Sequence, residues 1–587
     1  MWLINAQTLR LEYFLGRAIP DYAILSHTWD DDEVSFADFN APSDVVRAKK
    51  GYVKIRETCR LALQHQLSYA WVDTCCIDKS SSAELTESIN SMYEWYAKAS
   101  ICFAFLHDVV PESQCPFNKA LASCRWFTRG WTLQETIAPR DISFYDGNWE
   151  PRGTKLGSWM ALQAITGVPG EVLRDPEIAL GYSVSTRMSW AAGRDTTRVE
   201  DMAYCLLGLF GISMPMIYGE GRRAFRRLQD EIIRQSNDLS ILAWDKNDEH
   251  ADPFAAGAIG ISALADSPAS FEACDAIRRP LRAEDFSAAS IGLQFNNTRL
   301  YWRRNAESNT NQTPAPALKA TIYLLPLAQC HRKPFTPLLN VFLPLRKIQP
   351  DMFVRCGNLV WDYTGEQHGA EDAISLQLHS QSLHYYPSKK MYISLADTVL
   401  GGTEDTLTSS LRNSIHFPLS DEFRIVSAVP PGHWDHRCQV FFSSTRSASR
   451  HVALAVRCHL KWNGSEVPII LCIQPDTINP SFPDYKIVRY TSRHERFFRH
   501  EDIVGRSVHW QNLEYEWPDI AAAEKTLDVD VGDEQLEVKA YFSYRWPLFS
   551  GPFITGKVPG GYDVSLSIHK TGANEDTNSQ RRKRQRM

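Results

Sequence analysis

Two short apolar runs that stop abruptly at polar residues mark the first quarter of the chain. Residues 22–29 read YAILSHTW and residues 70–78 read AWVDTCCID. Runs of this length suit strands buried on both faces, as in a parallel sheet, with polar residues where each strand surfaces. Between them Ile55, Cys59, Ala62 and Leu63 fall at i, i+4, i+7 and i+8, the apolar stripe of a helix over residues 51–67. Ser81 and Glu84 form a capping box. Leu85, Ile89, Met92, Tyr93 and Tyr96 then mark the face of another helix. A third strand is predicted at 101–106, a helical patch at 130–137 closed by Pro139, and a fourth strand at 142–145. Strands alternating with helices predict right-handed crossovers and a parallel sheet.

Ligands of such sheets bind in the crevice outside the carboxyl ends of the strands. That places Ser26, His27 and Trp29 there from the first strand, and Asp73, Thr74, Cys75, Cys76 and Asp78 from the second. Glu135 sits on the helix after the third.

The pattern then changes along the chain. Residues 1–20 read as a short lead-in. Residues 30–50, acidic and then mixed, read as a long loop overhanging the crevice mouth. Residues 149–185, rich in Gly and Pro, read as connector. Thr197 and Glu200 make a second capping box, and Ala203, Leu206, Leu207 and Phe210 give the buried face of the helix it would start. Beyond a turn at 211–221 comes a basic helix, with Phe225, Leu228 and Ile232 on one side and Arg222, Arg223, Arg226, Arg227 and Arg234 elsewhere. From about residue 250 strand-type runs dominate: 318–325, 339–343, 451–460, 467–473 and 538–544. Asn463-Gly464, between two of them, is a type I′ hairpin signal. A sandwich-like β domain is the expected architecture. The resulting division is an α/β domain at 1–150, a helical extension at 151–248, a β-rich domain at 249–570 and a disordered basic tail at 571–587.

A chain of 587 residues accommodates two to four domains. A hydrophobic fraction of 44% and a charged fraction of 22% are ordinary for globular proteins. The net charge of −6 gives no general attraction to nucleic acid or anionic membrane. Thirteen scattered cysteines, with no C-x-x-C pair, point to free thiols in a reducing compartment. The first residues lack the basic flank and apolar core of a signal peptide, and no stretch approaches a membrane span. The expected location is cytoplasmic. The closing run RRKRQR at 581–586 is either a nuclear localisation signal or a solvated tail.

The three blocks YAILSHTW, AWVDTCCID and RGWTLQE (129–135) resemble the heterokaryon-incompatibility (HET) domain of filamentous fungi, in the order that family shows them. Lys79 departs from it, since many members carry Gln there. The block around residues 188–244 resembles the helical extension that follows many such domains. The resemblance implies a fold similar to Toll/interleukin-receptor (TIR) domains, a flavodoxin-like parallel sheet. WTLQE at 131–135 also looks like the W-x-x-x-E signature of TIR-type NAD hydrolases. The resemblance thus implies a cell-death effector of non-self recognition, with NAD as a candidate substrate rather than a cofactor. It equally admits a non-enzymatic module that acts by self-association or by sensing a protein partner through its C-terminal domain.

On that reading Glu135 is the candidate catalytic residue, because a carboxylate beside a ribose stabilises the oxocarbenium-like charge of N-glycosidic cleavage. The bland alternative is a helix-end Glu paired with Arg129 or Arg140. Ser26, His27, Trp29, Asp73 and Asp78 are candidate substrate contacts. For Ser26 and His27 the alternative is a strand cap, and for Asp78 it is the start of the turn before Ser80. Trp131 reads as packing that positions the helix, and Cys76 as a structural neighbour. Cys75 or Cys76 with His27 would suit a thiol hydrolase only if exposed and electropositive. Adjacent cysteines are poor zinc chelators, so no metal is expected. Gly219-Glu-Gly221 before the basic helix is a weak phosphate-loop candidate beside its reading as a plain turn.

Overall fold

A computed structural model describes residues 1–245 apart from 17–18 and 111–115, then 262–278 and a series of separate stretches between 285 and 570. The basic tail at 571–587 lies outside the described residues.

The chain opens with a hairpin, β1 (Trp2–Asn5) and β2 (Arg10–Tyr13), where a lead-in was expected. Each strand is four residues long, too short to show a period. Then β3 (Tyr22–His27) is buried along its whole length, as its unbroken apolar run requires. The expected loop at 30–50 instead holds two short helices, α1 (Phe36–Asn40) and α2 (Asp44–Ala48), capped by Ser35 and Ser43. Next come α3 (Lys50–Gln64) and β4 (Tyr69–Trp71). On α3 the stripe is Ile55, Cys59, Leu61 and Ala62, whereas Leu63 is exposed. Helix α4 (Ser82–Lys98) starts at Ser81, whose side chain accepts from the Glu84 amide. The Glu84 carboxylate reaches past Ser81 to the Asp78 amide, 3.0 Å, so the box is only half closed. Then follow β5 (Ile101–Leu106), α5 (Phe117–Leu121), α6 (Thr132–Ile137), β6 (Ile142–Asp146) and β7 (Pro151–Thr154).

These strands form one seven-stranded sheet, in the order β2-β1-β4-β3-β5-β6-β7. The inner four, β4-β3-β5-β6, are parallel. The sheet as a whole is mixed, because β1 and β7 pair antiparallel with β4 and β6 at its flanks. Chain order reverses at β3, which has β4 on one side and β5 on the other. In open α/β sheets such a reversal is where ligands bind, outside the carboxyl ends of the strands.

Residues 149–185, expected as connector, supply β7, α7 (Trp159–Thr166) and α8 (Gly170–Arg174). Helices α9 (Val184–Ser189), α10 (Asp201–Tyr204), α11 (Leu207–Phe210) and α12 (Arg223–Gln235) follow. Ala203, Leu206, Leu207 and Phe210 are buried, although they straddle two short helices rather than one. The predicted Thr197–Glu200 box does not form. Instead Glu200 Oε1 accepts from the Gly219 and Gly221 amides, at 2.8 and 3.0 Å. That turn is therefore filled by an internal carboxylate, which removes the phosphate-loop reading. Three arginines of α12 are engaged too: Arg226 bridges Asp230, Arg227 bridges Glu220 and Arg234 bridges Glu231.

Beyond residue 277 the described residues form sheets of ten, six and four strands, mostly antiparallel. The hairpin signal is met: Asn463 and Gly464 take φ of 46° and 81° between paired Trp462 and Ser465. The four- and six-stranded sheets share a buried cluster that holds Ile469 and Leu471 from one and Val538 and Val564 from the other. The ten-stranded sheet belongs to the N-terminal core, which runs on to Leu359. Arg355, fully buried, donates to the carbonyls of Leu242 and Trp244 and lies 3.8 Å from the Trp244 ring centroid. No helix among the described residues is long and apolar enough to cross a membrane.

Candidate functional site

The parallel strands end in a cluster of charged and polar side chains. Ser26, near the end of β3, donates its hydroxyl to Glu135 Oε2 and accepts from Trp126 Nε1 at 2.8 Å. Trp126 sits in a 3-10 turn, Arg125–Thr128, that Asp108 holds through the Arg125 amide at 2.7 Å and the Cys124 thiol at 3.1 Å. Glu135 projects from α6, and every residue of that helix is buried. Its exposure is 6%, and burial pushes its carboxyl up to about 8. The Asp73 charge pushes the same way, while the Ser26 hydrogen bond, Arg194 and Tyr96 pull back. At neutral pH Glu135 therefore holds a proton.

A second group stands beside it. Asp73 Oδ2 accepts from Trp29 Nε1 at 2.7 Å, and Lys79 Nζ lies 3.8 Å from the centroid of the half-exposed Trp29 ring. His27 is buried between two carboxylates, its Nδ1 3.9 Å from Asp73 Oδ1 and its Nε2 3.6 Å from Glu33 Oε1. Lys54 reaches up from α3 to Glu33 (2.5 Å), Asp30 (3.2 Å) and the Thr28 carbonyl (3.2 Å). Burial alone would raise the Glu33 carboxyl. The His27 ring and the Lys54 ammonium outweigh that and hold it at about 2. Gly51 lets this segment close, since a Cβ there would stand 2.8 Å from Glu33 Cα.

Three buried polar atoms in this region make no hydrogen bond within the protein: His27 Nε2, Asp73 Oδ1 and Thr74 Oγ1. Buried polar groups are nearly always partnered. A run of three at the carboxyl ends of parallel strands marks where a polar ligand would dock. The set offers donors and acceptors for hydroxyls and one proton that a buried acid can release.

The structure thus brings Ser26, His27, Trp29, Asp73 and Glu135 together. Asp78 stands apart, its Oδ1 accepting from the Ser80 amide and hydroxyl at 2.9 and 2.6 Å. Trp131 is half-buried at the start of α6, packed against the core. Cys76 Sγ accepts from the Val72 amide, and burial raises the Cys75 thiol well above its ordinary range. Cys75 therefore lacks the low pKa a nucleophile needs, and both thiols are buried. Among the described residues no group of three or more His, Cys, Asp or Glu is placed to hold a metal. Thr74, expected at the crevice, is there, and Glu33, Lys54, Tyr96, Trp126 and Arg194 join the cluster although the sequence pattern did not mark them as site residues. A cavity of about 370 Å³ opens at the opposite, amino-terminal end of the strands, among Ile101, Ile142 and Lys155. Lys155 Nζ there holds the end of α6 through the carbonyls of Ile137 (2.9 Å) and Pro139 (2.6 Å).

Comparison with known proteins agrees with this region. Residues 22–121 match the family model "Heterokaryon incompatibility protein (HET)", and residues 223–287 match a domain of unknown function (DUF8212). The chain is 43% identical over 232 residues to "Vegetative incompatibility protein HET-E-1" of Podospora anserina. The match covers 38% of this chain and 17% of that relative's length. No solved structure matches.

Proposed function

We propose that this chain, whose residues 22–121 match the HET family model, is an effector of vegetative incompatibility whose N-terminal unit hydrolyses NAD, or a related nucleotide, at the nicotinamide–ribose bond. The observation that carries this reading is the buried, protonated Glu135, joined to Ser26, in a cluster where buried atoms of His27, Asp73 and Thr74 make no hydrogen bond within the protein. The strand order around β3, with the switch point between β4 and β5, supports a flavodoxin-like, TIR-like core. In the proposed step the N-glycosidic bond breaks with its electron pair leaving on the nicotinamide nitrogen. The ribose carbon becomes oxocarbenium-like, and water then adds to it with loss of a proton. A cationic pyridinium ring near Glu135 favours the ionised carboxylate, which then stabilises the developing charge. Asp73 and Thr74 would hold the ribose hydroxyls.

The burial of Glu135 also favours a second reading, in which the acid only braces β3 against α6 and the domain signals by self-association. The two part on one experiment. When the chain kills fungal cells on expression, Glu135→Ala abolishes killing at equal protein level if the site is catalytic. Undiminished killing by that variant would leave only the scaffold.

A further inference from the structure

The family match ends at residue 121, before Trp126 and Glu135. Ser26 and Asp108 hold these two residues from within the match, and a second support comes from farther along the chain. The stretch Arg194-Asp195-Thr196 lies across RGWTLQE as an added strap. Asp195 bridges Arg129 in parallel, its amide donating to the Thr128 carbonyl at 2.7 Å and its carbonyl accepting from the Gly130 amide at 2.9 Å. Gly130 is required by this approach, since a Cβ there would sit 2.5 Å from Thr196 Cγ2 and 3.1 Å from Cys205 Sγ. Arg194 is 4% exposed, and its Nη1 donates to the Arg129 carbonyl and to Thr132 Oγ1, both at 2.9 Å. Thr132 Oγ1 in turn donates to the carbonyls of Trp126 and Arg129. One guanidinium therefore ties the turn carrying Trp126 to the first turn of the helix carrying Glu135.

We propose that Arg194 is a positioning residue of the site, lent by the helical extension, and that the functional unit reaches past the matched domain to include it. The inference rests on the reading of Glu135 as the reacting acid, and it adds a requirement that reading does not contain. Burying an arginine is costly unless every donor is used and a charge is served. Burial lowers Arg194 only to about 10, so it remains a cation at neutral pH. Its positive charge is among the influences that draw Glu135 back toward ionisation. The other groups acting on Glu135 are the Asp73 carboxylate, which opposes ionisation, and the neutral Ser26 and Tyr96 hydroxyls, whose hydrogen bonds assist it. A surface strap with no electrostatic task would not need a buried guanidinium there.

The test uses the full chain and does not depend on turnover. The stability gap between Glu135→Gln and its Glu135 parent is followed against pH by thermal unfolding, first with Arg194 and then with Arg194→Met. The gap widens with pH until Glu135 is fully ionised in the folded state. That plateau should begin near pH 8 with Arg194 and about one unit higher with Arg194→Met, the shift expected on losing a neighbouring cation. Arg194→Lys, which keeps the charge, should stay within a few tenths of a unit of the parent. Where nicotinamide release is measurable, the rising limb of kcat/KM should move by the same amount, a fall of roughly tenfold at pH 7. If Arg194→Met does not fold, Thr132→Val is read in the same way and should give a smaller shift in the same direction. A plateau unmoved in the folded variant, or moved equally by Met and Lys, overturns the proposal. A plateau that moves without any nicotinamide release upholds Arg194 and removes the NAD reading alone.

Discussion

Glu135→Gln is expected to make the protein more heat-stable above pH 8 while lowering its turnover at least a hundredfold. Both effects come from one buried proton. The folded-state pKa of Glu135 lies near 8, above the ordinary value of 4.5, because burial disfavours the charged form. Between those two values the folded state binds a proton that the unfolded state has released. Stability contributed by this group is thus full below the ordinary value and is lost as pH rises through 8. The loss is on the order of 5 kcal/mol at roughly 1.4 kcal/mol per pKa unit. Gln keeps the shape and an oxygen for the Ser26 hydroxyl but never ionises. The variant should match wild type near pH 5 and exceed it on the order of 10 °C in Tm at pH 9. Removal of one well-placed charge from a transition state costs on the order of a hundredfold or more, in kcat rather than KM. A destabilised Gln variant at pH 9 would show that the acid is ionised and structurally required there.

Gly208→Ala should have the largest effect on folding. A Cβ at Gly208 would stand 2.0 Å from Tyr93 Cβ and 2.4 Å from Tyr93 Cγ, in the contact between α11 and α4. Neither the Tyr93 Cβ nor the helix backbones can retreat that far without moving a packed element. The cost should be about 3 kcal/mol, a fall of roughly 6–12 °C in Tm for a body of this size. Because α11 follows the strap at 194–196, the variant should also increase amide exchange at Gly130 and Asp195. A Tm within 1 °C of wild type would mean that the two helices do not touch as described.

The parallel core was legible because buried strands write themselves as unbroken apolar runs. Both β3 and β5 lie within a residue or so of where such runs stop, and the alternation with α3 and α4 fixed their direction. The flanking strands were not legible: β1, β2 and β7 are four residues each and carry half-exposed patterns. Ser26, His27, Asp73 and Glu135 could be picked out because strand ends and the motif blocks point to them. Glu33, Lys54 and Arg194 could not, since their roles arise from tertiary pairing. Lys54 looks like any polar helix residue until Glu33 folds over it, and Arg194 like a loop cation until the strap closes on Gly130. Two acidic residues that looked like caps or contacts, Glu200 and Asp78, turned out to satisfy local backbone amides. A short acidic motif alone does not distinguish those uses.

On the proposed function, a buried acid at the carboxyl ends of the sheet breaks the nicotinamide–ribose bond. The most direct test is nicotinamide release from NAD by the purified full chain, followed from pH 6 to 9 beside Glu135→Gln. The kcat/KM of the wild type should climb with pH toward an apparent pKa near 8, with the Gln variant folded, flat and at least about a hundredfold slower. Equal release by the two proteins, or no release at any pH even when the chain is forced to oligomerise, would contradict the proposed function.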